Sequence, residues 1–346
     1  MNRTQSAFVL AMALAAASLQ AQQTPATPAT APTAQPAAQQ PAQSTDSQKP
    51  AQAPDAHNQA PGSQSDDAST TIKIGVNEVN LIFTVTDKHG HYIPNLKQSD
   101  FALLDDQRAP ERITSFRQQI NLPLRVGIMI DTSTSIRSRF QFEQQSAVEF
   151  LLQVLKSRSD RAFVMGFDET PDLVQDWTNT LDGLETGINR LRPGGGTALF
   201  DAVYTACRDK LLTSRGTEPV RKAIILLSDG DDNQSRVHSD EAIKMCQRAE
   251  TIIYAISTNW TPSRGKGDQV LNEMATDTGG QVFFPPSVEQ VSNSFKSIEE
   301  ELRSQYALTY TPADFKANGQ FRPIYLYCVD RHYTARARKG YFAPKD

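Results

Sequence analysis

Apolar residues recur with a spacing of two over the first folded stretch of the chain, residues 71–120. Ile72, Ile74 and Val76 are followed by Val79, Leu81, Phe83 and Val85, then by the turn residues Asp87-Lys88-His89-Gly90. A period of two places alternate side chains on one face of a pleated strand, so this stretch predicts antiparallel β structure. Beyond residue 122 the pattern changes. Continuous apolar runs, LRVGIMI (124–130), RAFVMGF (161–167), KAIILLS (222–228), TIIYAIS (251–257) and QVFF (281–284), alternate with helical stripes. Ala147, Phe150, Leu151, Val154 and Leu155 make one stripe; Leu271, Met274, Ala275 and Thr278 make another, closed by Gly279-Gly280. Ser287 with Gln290 forms a capping-box pattern ahead of Val288, Val291, Phe295, Ile298 and Leu302. Apolar strands alternating with helices predict a mainly parallel sheet covered on both faces, a doubly wound, Rossmann-like α/β domain over 122–304. Strand patterns return in QYALTYTP (305–312), FRPIYLYCV (321–329) and YTARARKGYFAP (333–344). Three strands alone make a poor domain. The economical arrangement is one β-sandwich built from both flanks, 70–121 and 305–346, with the α/β domain inserted in it.

The remainder of the chain is of another kind. Residues 1–21 carry Arg3, an apolar stretch from Ala7 to Ala17 and a small residue, Ala21. That order predicts a secretory signal peptide, too short to span a membrane. From Gln22 to Ser69 the chain is almost wholly Gln, Pro, Ala, Ser and Thr without an aromatic residue, which predicts a disordered tether. No later stretch is apolar for long enough to cross a bilayer. The expected location is therefore outside the cytoplasm, periplasmic or extracellular, with no integral membrane span. The net charge of −4 is interspersed, which argues against nucleic acid as a partner. Cys207, Cys246 and Cys328 read as buried apolar thiols, although export would permit a disulfide, and the five histidines show no zinc-ligand spacing.

Three segments carry oxygen-rich side chains to places where a doubly wound sheet collects its ligands, the carboxyl ends of strands. The first is DTSTS, with Asp131, Ser133 and Ser135; the second is RPGGGTALFDAV, where Thr197 follows three glycines; the third is LLSDGDDN, where Asp229 stands at a strand tip. Singly they read as a helix cap, a flexible link and a turn. Jointly they bring two carboxylates, three hydroxyls and no soft ligand to one edge, a set suited to a hard cation such as Mg²⁺. Asp168 and Asp201 fall near the same edge, with turn and helix-face roles expected. Enzyme patterns fit less well. A phosphotransferase with Asp at its first strand tip needs a second Asp where Ser133 stands, and there is no nucleophile elbow or phosphate-loop lysine motif. A calcium loop starting at Asp229 has Gln234 where Gly is required.

Asp131-x-Ser133-x-Ser135, Thr197 and Asp229-Gly230 resemble the metal-ion-dependent adhesion site of von Willebrand factor type A domains, in order and approximate spacing. Thr134 stands where many relatives have Gly. The stretches VTDKHGHYIPNLKQSDFALLDDQ before the domain, and LRSQYALTYTP and ARARKGYFAP after it, resemble the bacterial VWFA-related Acidobacterial domain family, exported proteins of largely undefined role. The resemblance implies direct ligation by Ser133, Ser135 and Thr197. It implies ligation by Asp131 and Asp229 directly or through water. It also implies a non-enzymatic, metal-dependent module, used in adhesion or assembly, that captures an Asp or Glu of a protein partner. The expected ion is Mg²⁺, with Mn²⁺ or Ca²⁺ as alternatives. The competing expectation is a structural envelope protein whose metal site is vestigial or purely stabilising.

Overall fold

The structure is a computed structural model that describes residues 78–119, 122–213, 220–259, 265–287 and 290–345. The expected signal peptide and tether lie outside the described residues, as do Ile72, Ile74 and Val76. In chain order the elements begin with β1 (Val79–Asp87), β2 (Phe101–Asp105), β3 (Arg112–Gln119) and β4 (Leu124–Asp131). Then come α1 (Phe140–Val154), β5 (Arg161–Phe167), β6 (Pro171–Thr178), α2 (Leu181–Arg190) and α3 (Leu199–Thr205), the last running into a π-helical turn at Ala206–Leu211. They continue with β7 (Arg221–Ser228), α4 (Ser239–Arg248), β8 (Thr251–Ser257), α5 (Lys266–Thr278), β9 (Val282–Phe283) and α6 (Val291–Arg303). The chain closes with β10 (Gln305–Thr311), β11 (Phe321–Cys328), β12 (Tyr333–Ala337) and β13 (Gly340–Phe342).

The six-stranded central sheet has the order β6-β5-β4-β7-β8-β9. All its pairings are parallel except that of β6 with β5. Alternation along β4 explains the two-sided cover: Val126, Ile128 and Ile130 enter a core shared with α1, α2 and α6, whereas Met129 enters the core under α3, α4 and α5. Phe150 of α1 stacks on Phe295 of α6 at 4.8 Å. From β4 the chain builds outward through β5 to β6, then returns to the other side of β4 for β7. Strand order therefore reverses between β4 and β7, and the crevice at their carboxyl ends is where such folds hold ligands. The edge strand β6 was not foreseen: PDLVQDWT is broken by polar residues, and its half-exposed positions need no apolar period. The expected strand QVFF shortens to two residues. The expected capping box is also absent. α6 is entered at Val291 without a side-chain cap, and the Gln290 amide donates to the Ser287 carbonyl instead.

The flanks form two antiparallel sheets, β12-β1-β10-β3 and β13-β11-β2. Leu81, Phe83, Val85, Tyr306, Leu308 and Tyr310 from the first share one core with Leu103, Ile324 and Tyr341 from the second. This is the sandwich expected from both ends of the folded chain. Its details correct one point: the single run YTARARKGYFAP splits, with β12 joining one sheet and β13 the other. The insertion leaves the sandwich at Gln119 and returns at Gln305, and these two residues are cross-strand partners. Only Ser304 separates α6 from β10. Ile82 of β1 packs against the α/β core, so the two layers meet through apolar contact as well.

The reading of the cysteines as unpaired thiols is overturned. Cys207 in the π-helical turn and Cys246 in α4 form a disulfide, leaving Cys328 free. The pairing was hidden because the 39-residue separation reveals nothing about which helices become neighbours.

Candidate metal centre

β4 is buried at every position except Arg125 and delivers Asp131, fully buried, to the sheet edge. The chain then takes an extended Ser133 and a tight turn over Thr134–Ile136, whose Ile136 is also fully buried. That apolar anchor pulls the turn onto the sheet and leaves Ser133 and Ser135 beside Asp131. The two hydroxyl oxygens lie 2.9 Å apart, and Ser135 Oγ donates to Asp229 Oδ2 at 2.8 Å. Asp131 Oδ1 accepts from the Ser133 amide at 2.8 Å and Oδ2 accepts from Ser228 Oγ at 2.7 Å. Asp131, Ser133, Ser135 and Asp229 are therefore gathered into one hydrogen-bonded cluster.

Asp229 follows β7 directly, and Gly230 has φ of +81°, a left-handed conformation that glycine adopts without strain. A Cβ on Gly230 would also stand 2.1 Å from the Gly267 carbonyl, so the first turn of α5 closes on this loop backbone to backbone. Gly195, at φ of +74°, turns the glycine loop back toward the site. Its carbonyl accepts from both the amide and the hydroxyl of Thr134, at 3.3 and 3.1 Å. The residue that departs from the usual Gly at position 134 thus latches two loops together. Gly194 N also donates to Thr132 O at 2.6 Å.

Thr197 is buried, and its main chain carries the third side of the triangle. Its amide donates to Asn233 Oδ1 at 2.9 Å, and its carbonyl accepts from the amides of Asn233 and Gln234 at 3.0 Å each. The Thr197 hydroxyl makes no hydrogen bond within the Asp131–Ser133–Ser135–Asp229 cluster. Its place at the site comes from the bonded loops. Asp168 makes a local turn, accepting from the Thr170 amide at 3.3 Å. Asp201 accepts from the amides of Arg236 and Val237 at 2.9 and 3.0 Å, which secures the far end of the Asp229 loop.

The electrostatics separate the members. Burial pushes the Asp131 carboxyl up to about 6, against the lowering effect of its bonds from Ser228 and Ser133, and the charge of Asp229 pushes the same way as burial. Asp231 is raised by burial and by the charges of Asp229 and Asp268. Beneath them Glu143 of α1 is raised to about 8 by burial, although Arg139 pairs with it at 3.3 Å. A buried carboxylate held by hydroxyls and an amide beside a second carboxylate has the donor set a divalent cation would satisfy. Among the described residues no three Asp, Glu, His or Cys side chains are grouped to hold a metal, so neutral hydroxyl oxygens would complete any such site here. Sequence reasoning missed Ser228, Asn233 and the Arg139–Glu143 pair. Ser228 adjoins Asp229 and could have been noticed; Glu143 reaches the site only because α1 returns beneath it.

Residues 126–297 match the von Willebrand factor type A domain model. Human von Willebrand factor A domain-containing protein 3B is 29% identical over 164 residues, which cover 46% of this chain and 12% of that protein's length. Among solved structures, a von Willebrand factor type A protein from Catenulispora acidiphila aligns with a TM-score of 0.44 at 15% identity, over 70% of this chain and 72% of its own. The vWF domain of the type V pili tip protein Mfa5 from Porphyromonas gingivalis aligns at 0.41 and 14% identity, over 52% and 95%. Proximal thread matrix protein 1 from the mussel byssus, with a zinc-occupied MIDAS motif, aligns at 0.44 and 19% identity, over 54% and 49%.

Proposed function

The chain carries a von Willebrand factor type A domain, and from that premise we propose that it is an exported binding module, not an enzyme, that captures an acidic residue of a protein partner through a divalent cation. The observation that carries this reading is the closed triangle of loops around Asp131, Ser133, Ser135 and Asp229, with Thr197 on its third side. Asp131, Ser133, Ser135, Thr197 and Asp229 would hold the ion, Mg²⁺ in the first instance. Bound there, the cation would be held by two carboxylates that only balance its charge and by three neutral hydroxyls, so that a further carboxylate could take a remaining coordination position.

The chain's own groups do the rest. Ser228 and the Ser133 amide fix both oxygens of Asp131 before any ligand arrives. Burial of Ser133 and Thr197 limits the water that competes for the site. The Thr134–Gly195 bonds hold the glycine loop at the edge. Export is supported by the Cys207–Cys246 disulfide, a bond that persists in oxidising compartments. Among the described residues no helix is long and apolar enough to cross a membrane.

One observation favours a second reading. Ser135 already bonds Asp229 directly, so the loops close on themselves, and an ion could serve only to stabilise them. Calorimetric titration of Mg²⁺ into the chelator-treated chain and its Asp131→Ala variant tests the site. Recovery of envelope proteins on the immobilised chain, with and without chelator, tests the function. The binding reading expects Mg²⁺ uptake lost in the variant and partner retention lost with either change. Mg²⁺ uptake combined with chelator-insensitive retention would leave the stabilising role.

A further inference from the structure

β11 carries an unusual outer face. Its even-numbered residues Arg322 and Ile324 point into the sandwich and are buried, whereas Phe321, Tyr325, Tyr327 and, just beyond the strand, Val329 are 40, 44, 54 and 66% exposed. They are four of the six large apolar side chains left exposed among the described residues, and they lie on one face of one strand with Pro323 between them. The strip is about 26 Å long at ~3.3 Å per residue. The rings of Tyr325 and Tyr327 are parallel within 4°, with centroids 6.5 Å apart. Phe321, Pro323 and Tyr325 also form one wall of a cavity of about 400 Å³, and facing carboxylates come from Asp240 of α4 and from Glu273 and Asp277 of α5. Lys244 and Lys339 reach into the same cavity, but Lys244 is paired with Asp240 and Lys339 with Asp277.

The chemistry narrows the occupant. The strip exposes roughly 350 Å² of apolar surface at ~200 Å² per aromatic side chain, less than half of the ~800 Å² each partner buries in a stable protein interface. A slender ligand lying along the strand fits better than a second folded copy. The face of a sheet offers no main-chain hydrogen bonds, so strand addition is not the mode. A proline-rich helix lacks N–H donors and would offer nothing to Glu273, the wall carboxylate not paired with a lysine among the described residues. A polyanion would meet a wall of three carboxylates against two lysines, both already paired. A pyranose chain has the matching amphipathic form: C–H faces that lie on aromatic rings, and a rim of hydroxyls that donate to carboxylates. We propose that the outer face of β11 and its groove against α4 and α5 bind a neutral polysaccharide, at a site separate from the Asp131 cluster.

Affinity electrophoresis of the full chain in gels containing hydroxyethylcellulose, glycol chitin or polygalacturonate tests this, with titration of cellohexaose and chitohexaose in solution. The expected result is retardation by at least one neutral polymer, unchanged by chelator. The Tyr325→Ala/Tyr327→Ala double variant should lose about tenfold or more in affinity, equivalent to about 1.4 kcal/mol. Both tyrosines are exposed, so the fold should survive, and Glu273→Gln, which leaves the aromatic strip intact, should weaken binding several-fold. Absence of retardation by every neutral polymer would overturn the proposal. So would retention by polygalacturonate alone, binding that disappears with chelator, or a change of oligomeric state in the tyrosine variant in place of a change in sugar affinity.

Discussion

At the carboxyl edge of the central sheet, Asp131 and Asp229 stand together, and the hydrogen bonds they accept among the described residues come from hydroxyls and amides. On the sandwich side the buried carboxylates meet arginines. Asp105 accepts from Arg322 Nε at 2.7 Å and from the hydroxyls of Tyr310 and Tyr341 at 2.6 and 2.9 Å. Glu301 of α6 accepts from Arg336 of β12 at 2.6 Å and from Tyr254 of β8 at 3.0 Å, joining helix, sheet and sandwich. Asp131 is as buried as Asp105 and Glu301, so burial does not distinguish them. Neutralisation does. A paired buried carboxylate holds elements in register, whereas a carboxylate left without a cation retains unspent attraction for one.

The largest expected effect comes from removing the second half of the sandwich. A chain ending at Ser304 loses β10 to β13 and exposes the inner faces of Leu81, Phe83 and Val85. It should aggregate, and light scattering will report it. A monomer that melts like the full chain would mean that the flanks are not one structural unit. Next in size is Asp105→Ala, which removes the buried acceptor of Arg322, Tyr310 and Tyr341 and leaves Arg322 only the more exposed Asp314 and Asp106. Removing one partner of a buried pair costs about 3–5 kcal/mol, to be read by chemical denaturation. Mg²⁺ binding by the remaining folded protein should be unaltered.

Asp131→Ala should behave in the opposite way. It should abolish Mg²⁺ binding, and with it the added stability of about 2.7 kcal/mol expected at a hundredfold excess over Kd. In chelator the variant should be as stable as the parent to within ~1–2 kcal/mol. A carboxyl raised from 3.8 to about 6 costs the fold on the order of 3 kcal/mol when ionised, with its bonds from Ser228 and Ser133 already counted, and relief of that cost is offset by the cavity and the unpartnered Ser228 hydroxyl that the substitution leaves. A chelated variant that unfolds would make Asp131 a structural group like Asp105.

How legible each region was follows from how local its causes are. Asp131, Ser133, Ser135 and Asp229 were readable because strand tips and their turns are encoded within a few residues, and the family spacing linked the segments. The sandwich was readable from its period-two flanks and from the need of both for a partner. The Arg322–Asp105 and Arg336–Glu301 pairs, the Cys207–Cys246 bond and Glu143 beneath the site were not. Each joins residues distant in sequence whose meeting depends on helix placement and strand register. β6 was missed for a different reason: an exposed edge strand carries no strong apolar period.

Titration of Asp131 should give a smaller effect. Without divalent ions, native Asp131 holds its proton to about 6, above its ordinary 3.8. The native state therefore binds more protons than the unfolded chain between these values, and this group adds stability as pH falls from above 6 toward 4. With Mg²⁺ the slope should reverse, because the proton must leave before the cation is held. The Mg²⁺-induced rise in Tm should shrink as pH falls through about 6. A Mg²⁺ effect independent of pH across that window would separate the ion from Asp131.

The smallest expected effect distinguishes ligand capture from loop closure within the site itself. Thr197 is tied to Asn233 and Gln234 by its own amide and carbonyl, so Thr197→Ala keeps every one of those bonds and deletes only the hydroxyl. Ser135→Ala, in contrast, removes the bond to Asp229 that closes two of the loops. The chelated Thr197→Ala protein should therefore melt within about 0.5 kcal/mol of the parent, like a substitution that disturbs no packing. Its Mg²⁺ affinity should fall modestly, because four other oxygen donors remain. Affinity for a physiological partner, measured in Mg²⁺, should fall further, by about tenfold or 1.4 kcal/mol, if the hydroxyl matters most when the partner's carboxylate is present. Thr197→Ser should restore it. Equal losses of metal and partner affinity in Thr197→Ala would make the threonine an ordinary ligand, with no preference for the bound state. A destabilised chelated variant would assign it to loop closure instead.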